Sequence, residues 1–535
     1  MLRQLVFLAV GMASSAMAQS PPHLATVSVR LNPAGAQAVV QLDQAVTRFT
    51  FEDADVEREP DIDILTPGLK WTHGGHAIEA AQPFTRFEIQ IKPATRERDA
   101  KYPAYFRVGQ GGVLYAPGLK AGEGWRTQLN VTTAKGETRL PAGPPNFESS
   151  IYIGPVTYLS RVADVDLVTS PDTPALLRER LTAILAATLR TYTTALRTRL
   201  DTRPIIVMTQ NGGQGLGFRG DVTGGPVLQM RVYGSPAQQT DESATYALTS
   251  FIAHEVFHFW NGSLVHNQQG GNASWLHEGG ADYAALLVSL EAGALDDSGM
   301  RAELASALTR CRQALQDNKD VGMNELTFLD ARVRYPCGLT IQWAAAMAAA
   351  RAGRGGFYDV WSRMITTAKA RADHRYTLRD FYESAGSAEG TPPEVVRLLT
   401  VEQGPARWTK LESALNELGA DIARAPTPET RRDGLVFHLL AQVCKSGSRG
   451  FYREPGRIRL ESNETCTLLT NGSILTSVEG GEVFATNEAT YAAVQSKCAA
   501  RKEVQVVLDG ERNVAVPCLA DLGPARDAYV VNRWR

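Results

Sequence analysis

Long apolar runs are missing from this chain of 535 residues. Beyond the first eighteen residues no uninterrupted apolar stretch reaches the roughly 20 residues that a bilayer-spanning helix needs. An excess of charge is missing too. Lys and Arg number 55 against 57 Asp and Glu, a formal net charge of −2, and no basic tract occurs. That balance excludes the basic face of a nucleic-acid binder and the polybasic segment of a membrane-surface protein. Cysteine is sparse, six residues in all, and none has the C-x-x-C spacing of a cysteine-based metal site.

What is present begins with a leader. Arg3 is followed by an apolar run over 5–13 and by Ala16-Met17-Ala18, the A-x-A form of a secretory cleavage site. Residues 1–18 therefore read as a signal peptide, with Gln19 as the mature terminus. The run is too short for an anchor, and no cysteine stands at the cleavage point to carry a lipid. The expectation is an exported protein, periplasmic or secreted. An even cysteine count suits that compartment. Cys311 and Cys337 are expected to pair, and Cys444, Cys466, Cys498 and Cys518 to pair among themselves.

The length implies several domains, and the pattern of the chain predicts a multidomain α+β protein. Residues 19–155 read as β structure, with Phe87, Ile89 and Ile91 on one face of a strand. They form a β-sandwich-like leading domain, and its His73 and His76 read as solvated turn residues. Over 156–425 the pattern changes. A long helix over 173–200 precedes a short apolar strand at 205–208, a glycine-rich stretch, and a second strand at 227–233. Helices then follow at 281–293, 299–316, 338–352, 355–369 and 378–385, with two more in 392–420. Residues 426–535 read as a further domain of strands around a helix at 486–499, with a hairpin turn at Asp509-Gly510.

The chemistry concentrates between residues 251 and 283. His254-Glu255-Val256-Phe257-His258 places two histidines four apart, one above the other on a helix face, able to reach one metal ion. Glu255 is turned about 100° round the axis, beside the ion, where it can take a proton from water at the ion's open position. Zinc suits two imidazoles and a carboxylate. The motif alone is common enough by chance, and the sequel decides. Trp275-Leu276-His277-Glu278-Gly279-Gly280-Ala281-Asp282-Tyr283 opens a second helix. Its Glu278 is the candidate third ligand. Asp282, one turn on, can accept the free ring N–H of a ligand histidine. The rival pattern H-E-x-x-H-x-x-G-x-x-H fails, because positions 261 and 264 hold Asn261 and Leu264. His266 and His277 remain spare candidates. Asp241 is a candidate cap for the metal helix, which is expected to end at Gly262.

H-E-x-x-H followed by W-L-x-E-G-x-A-D-Y resembles the gluzincin metallopeptidases, closest to the glycyl-aminopeptidase-like family, with aminopeptidase N-like and thermolysin-like relatives. Residues 259–277 separate His258 from Glu278, one more than in the aminopeptidase N pattern and equal to the thermolysin pattern. The resemblance implies a thermolysin-like catalytic domain with a helical lower lobe and one Zn2+ per chain. It implies an edge strand along the cleft, here within 215–233, that binds substrate backbone. It also implies a role for Tyr335 in Tyr335-x-x-Gly338, whose hydroxyl would donate to the oxyanion. Such families often carry a PDZ module. The segment from Ser473 to Val483 is similar to a PDZ strand-and-turn phrase, and Gly434-Leu435-Val436-Phe437 to its carboxylate-binding turn, so C-terminal peptides are possible partners.

The implied activity is hydrolysis of peptide or protein substrates by water, with Glu255 as general base, and an aminopeptidase by resemblance. One departure bears on specificity. Related sequences place a glutamate on the cleft strand for the substrate α-amine. Here the counterpart is Gly215-Leu216-Gly217-Phe218, without an acid, though Asp221 or Glu242 could substitute. Three alternatives stay open: an endopeptidase lacking an amine anchor, a catalytically silent peptide-binding protein, and a hydrolase of a non-peptide bond such as an epoxide or ester.

Overall fold

A computed structural model describes residues 22–52, 56, 58, 60–94, 102–211, 217–222, 225–235, 244–268, 273–326, 331–387, 390–444, 450–454, 457–461 and 466–535. The expected signal peptide, Asp241, Glu242, Gly215 and Leu216 lie outside these residues. Two compact units emerge: 1–186 with 200–244, and 187–199 with 245–535.

The first unit opens with long antiparallel strands, β1 (His23–Asn32) and β2 (Gly35–Thr50). Alternation explains them: Ala25, Val27 and Val29 are buried, as are their partners Leu42, Val40 and Ala38. The strands β3 (Ile62–Ile64), β4 (Leu69–Thr72), β5 (Ala77–Ile91) and, further on, β8 (Trp125–Thr132) complete this sheet. Phe87, Ile89 and Ile91 of β5 face its core, as their spacing predicts. A second sheet runs β6 (Tyr105–Val108), β7 (Gly111–Tyr115), β10 (Ser150–Pro155), β9 (Glu137–Leu140). Leu114, Ile151 and Ile153 of this sheet share the core of the first.

The same unit holds a five-stranded sheet. Its order is β11 (Leu159–Val162), β12 (Val165–Thr169), β13 (Ile205–Asn211), β15 (Val227–Tyr233), β14 (Gly217–Val222). β12, β13 and β15 run parallel, and β14 forms an antiparallel edge. Val168, Val207 and Val227 pack with Val113 and Tyr152, so one core joins this sheet to the leading β structure. The helix α1 (Ala175–Ala195) follows β12 and passes from the first unit to the second at residue 187. Leu177, Leu181 and Leu185 are buried on one face, while Leu176 lies off that face and is exposed.

The second unit is helical: α2 (Ala244–His258), α3 (Ser274–Glu291), α4 (Asp297–Asp317), α5 (Ala331–Arg351), α6 (Phe357–Lys369), α7 (Leu378–Ser384), α8 (Glu394–Thr400) and α9 (Ala406–Glu417). The Asp296 carboxylate accepts from Gly299 N–H at the start of α4, and the Thr377 hydroxyl from Asp380 N–H at the start of α7. Cys311 and Cys337 are bonded and tie α4 to α5. Among the described residues no helix is long and apolar enough to cross a membrane.

Strand β18 (Asp421–Pro426) pairs with the last strand, β25 (Asp527–Arg533). Everything between is threaded through that pair and returns to the helices. Trp534 is buried, its indole donates to Asp297, and its carbonyl accepts from the Trp343 indole of α5. The intervening segment has its own core. It holds α10 (Pro428–Val443), α11 (Glu488–Ala499) and a sheet ordered β19 (Gly450–Glu454), β20 (Arg457–Glu461), β21 (Ile474–Val478), β23 (Val504–Leu508), β24 (Arg512–Val516), with β22 (Gly481–Glu482) on β21. Two disulfides, Cys444–Cys466 and Cys498–Cys518, brace it. The Asp509-Gly510 hairpin turn is present, both residues at positive φ. One expectation is corrected. Gly434, Leu435, Val436 and Phe437 lie within α10 rather than in a turn. Their amides are inside a helical ladder, so they form no carboxylate-binding loop. A proline at the first helical position and a capping threonine start that helix, and the apolar run continues it.

Candidate active site

α2 carries His254 and His258 one turn apart, and their Nε2 atoms lie 3.1 Å from each other. From α3, Glu278 Oε2 stands 3.3 Å from the first Nε2 and 3.6 Å from the second. Three donors at about 2.0–2.1 Å from a tetrahedral zinc would be separated by roughly 3.3–3.4 Å. The three atoms already have the spacing of one face of that tetrahedron, and two neutral imidazoles with one carboxylate suit the ion. Among the described residues one other group could gather on a metal, His438 with Cys498 and Cys518, but its cysteines are joined in a disulfide.

Each ring is held by its far nitrogen. His254 Nδ1 is 2.8 Å from Asp282 Oδ1, as the one-turn spacing from Glu278 predicts. His258 Nδ1 is 2.9 Å from Asn261 Oδ1. The Asn261 amide donates in turn to the His277 carbonyl at 2.8 Å, which fixes Oδ1 toward the imidazole. With an ion bound, each ring would keep its one proton on Nδ1 and leave the Nε2 lone pair for the ion. Asn261 is fully buried. It sits where α2 does not stop as expected at Gly262 but widens into a π-helical turn, Phe259–Leu264. Such turns re-aim side chains and are frequent at functional sites.

The spare histidines stand outside the candidate trio. His277 stacks on His258 at 4.2 Å and 16°, and its Nδ1 is 3.1 Å from the Asn261 carbonyl. Burial pushes its pKa down to about 3, so it stays neutral. His266 lies in a two-residue strand, His266–Asn267, paired with Arg375–Tyr376. Burial opposes a charge on His254, but its hydrogen bonds with Asp282 and Glu278 outweigh this and hold its pKa well above the usual value. Burial likewise opposes ionised Glu278, and the two histidines more than compensate, keeping it a carboxylate. Asp282→Ala is expected to weaken zinc binding by about 10- to 100-fold. Competition against a chelating dye would measure this, and unchanged affinity would show that Asp282 does not orient His254.

Two glycines bring α3 and α5 together. A Cβ on Gly279 would lie 2.1 Å from the Gly338 carbonyl carbon, and one on Gly338 would lie 2.4 Å from the Trp275 carbonyl oxygen. Only bare backbone permits that approach. Gly279 follows the candidate ligand Glu278, and Gly338 lies one turn beyond Tyr335. The contact thus sets the tyrosine against the site. The Tyr335 ring is 6.1 Å from that of His254. Its hydroxyl is 3.4 Å from an Arg334 nitrogen, and that guanidinium lies over its ring. Burial, reinforced by the Glu278 charge, raises the Tyr335 pKa above the usual phenol range. Glu255 is half-buried on α2, and its charge helps to raise the pKa of His254.

Gly217 and Phe218 begin β14, the edge of the five-stranded sheet in the first unit. Asp221, a possible amine anchor, forms an ion pair with buried Arg231 at 2.5 Å. Asn261 and the Gly279–Gly338 contact are the features that the sequence reading missed. In the sequence Gly279 and Gly338 are only letters of motifs, and Asn261 only breaks a rival pattern.

No protein-family model matches the sequence, and no curated protein matches it. Solved structures do. An aminopeptidase N family protein from Idiomarina loihiensis superposes with a TM-score of 0.59 at 13% identity, over 96% of this chain and 98% of that one. Native leukotriene A4 hydrolase from Saccharomyces cerevisiae gives 0.40 at 13% identity, over 68% and 64%. The match at such low identity is a likeness of fold: the chain is similar in fold to an aminopeptidase N family protein.

Proposed function

We propose that the protein is an exported zinc-dependent peptidase in which water, activated with the help of Glu255, attacks a peptide carbonyl. The observation that carries this is the meeting of His254 Nε2, His258 Nε2 and Glu278 Oε2 within 3.1–3.6 Å of one another. The fold shared with an aminopeptidase N family protein supports it. Zinc held by these three side chains would supply Lewis-acid polarisation and a lowered pKa for the attacking water. Asp282 and Asn261 keep the ligand rings in the correct tautomer. Glu255 takes the proton from the water and passes it to the departing amine. Tyr335, kept protonated, donates to the oxygen that becomes negative in the tetrahedral state. Export accords with the leader at 1–18 and with three disulfides.

Aminopeptidase action is the first reading. The ion pair between Asp221 and Arg231 favours the second, an endopeptidase without an amine anchor. The test is hydrolysis of a peptide mixture by the zinc-loaded protein, with and without chelator, using free and N-acetylated N-termini. Cleavage that chelation abolishes and zinc restores is the expected result. Cleavage of free peptides alone marks an aminopeptidase, and cleavage of both kinds an endopeptidase. Bound zinc with no cleavage of any peptide would overturn the proposal in favour of a binding protein.

A further inference from the structure

The π-helical turn after His258 frees a backbone carbonyl. Val265 N–H, which in an α-helix would reach the carbonyl of Asn261, reaches that of Trp260 instead, at 3.3 Å. The next donor, His266 N–H, leaves the helix for the carbonyl of His374 at 2.9 Å. The Asn261 carbonyl thus loses both backbone partners that an α or a π ladder would give it. Asn261 is fully buried, where an unmet carbonyl is costly. Two side chains meet it. The Tyr376 hydroxyl donates to it at 3.0 Å, and His277 Nδ1 lies 3.1 Å away. The tyrosine oxygen is also 3.4 Å from that Nδ1.

Tyr376 is brought here by the chain that leaves the turn. β16 (His266–Asn267) runs parallel to β17 (Arg375–Tyr376), and Gln268 N–H donates to the Tyr376 carbonyl at 3.0 Å. The Tyr376 ring is fully buried and meets Trp361 edge to face at 5.6 Å. A ring so enclosed has little room to move, and its hydroxyl is a fixed donor. The same asparagine meets the candidate metal site with its side chain. Its Oδ1 is 2.9 Å from His258 Nδ1, and its Nδ2 donates to the carbonyl of His277, the neighbour of Glu278. A rotation of the Asn261 peptide would carry that side chain off the imidazole. Holding the carbonyl therefore holds the side chain in place.

We propose that Tyr376 is a positioning residue of the metal site: its hydroxyl fixes the Asn261 backbone and, through the Asn261 side chain, orients the His258 ring. Among the described residues that hydroxyl bonds to Asn261 and His277 and to no member of the trio, so it acts through Asn261 and not on the ion. The inference rests on the metal reading of the trio. It makes one ligand depend on a residue 115 positions beyond Asn261.

The experiment uses the full-length protein, loaded with cobalt(II) for proton resonance spectra and titrated with zinc for affinity. Each imidazole bound to cobalt through Nε2 gives a strongly shifted, exchangeable Nδ1–H signal, here one from His254 and one from His258. Tyr376→Phe keeps the buried ring and removes only the hydroxyl. It is expected to move or broaden the His258 signal while the His254 signal, held by Asp282, stays. It should also weaken zinc binding by about 3- to 10-fold, the range of one neutral hydrogen bond. Asn261→Ala identifies the His258 signal. Adding Tyr376→Phe to Asn261→Ala should change zinc affinity by less than about twofold, because the route is already cut. His277→Phe keeps a ring against His258 and removes the other side-chain partner of the carbonyl. It should move the same signal, and it decides the matter if Tyr376→Phe does not fold. Two unmoved signals, or two that move together as in a general loosening of the fold, overturn the proposal. Affinity losses that add in the double variant also overturn it. If the unaltered protein takes up no metal, or shows no such pair of signals, the metal reading falls and the proposal falls with it.

Discussion

Glu255→Gln is expected to bind zinc as the unaltered protein does and to lose about 10²- to 10⁴-fold in kcat, the range assigned to a positioned general base. The argument is geometric. Glu255 follows His254 directly on α2, so it cannot share the ligand face but lies beside it. Its charge already bears on that histidine. Glutamine has the same shape and similar hydrogen bonds, and it lacks only the ability to accept a proton. The ligand trio does not include it, so metal content should hold. Metal analysis by mass spectrometry alongside single-turnover rates separates the two effects. Full activity in the glutamine variant would remove Glu255 from the mechanism.

Tyr335→Phe should lower kcat by about 10²- to 10³-fold, the cost of one lost oxyanion donor, with small changes in KM and in zinc content. The hydroxyl is presented by the close approach of Gly279 and Gly338, which the substitution leaves untouched. Burial and the neighbouring Glu278 charge raise its pKa. The phenol therefore stays protonated throughout the neutral range and remains a donor. An activity loss confined to KM would assign Tyr335 to substrate binding rather than to the reaction.

The outline of this site was legible because its chemistry is written in short-range spacing. His254 and His258 share a helix face by arithmetic, and Glu278 and Asp282 do the same on the next helix. Strands such as β5 were legible for the same reason, since alternate residues face one core. The features that escaped are those fixed by tertiary contact. Asn261 becomes the partner of His258 only because α2 widens after the ligand, and nothing in Trp-Asn-Gly announces a π-helical turn. Gly279 and Gly338 lie 59 positions apart, and their meeting is a property of two packed helices. The sequence Gly434-Leu435-Val436-Phe437 failed in the opposite way. Its letters match a turn, but Thr427 caps and Pro428 starts a helix that carries through them. The return of β25 to β18 is likewise a long-range pairing that no local pattern signals.

The central claim is that His254, His258 and Glu278 share one zinc ion. Crystals of the zinc-loaded protein, measured on both sides of the zinc absorption edge, test it most directly. The account predicts a single anomalous peak at about 2.0–2.2 Å from the two Nε2 atoms and the Glu278 carboxylate. A peak elsewhere, or none with zinc in excess, would contradict it.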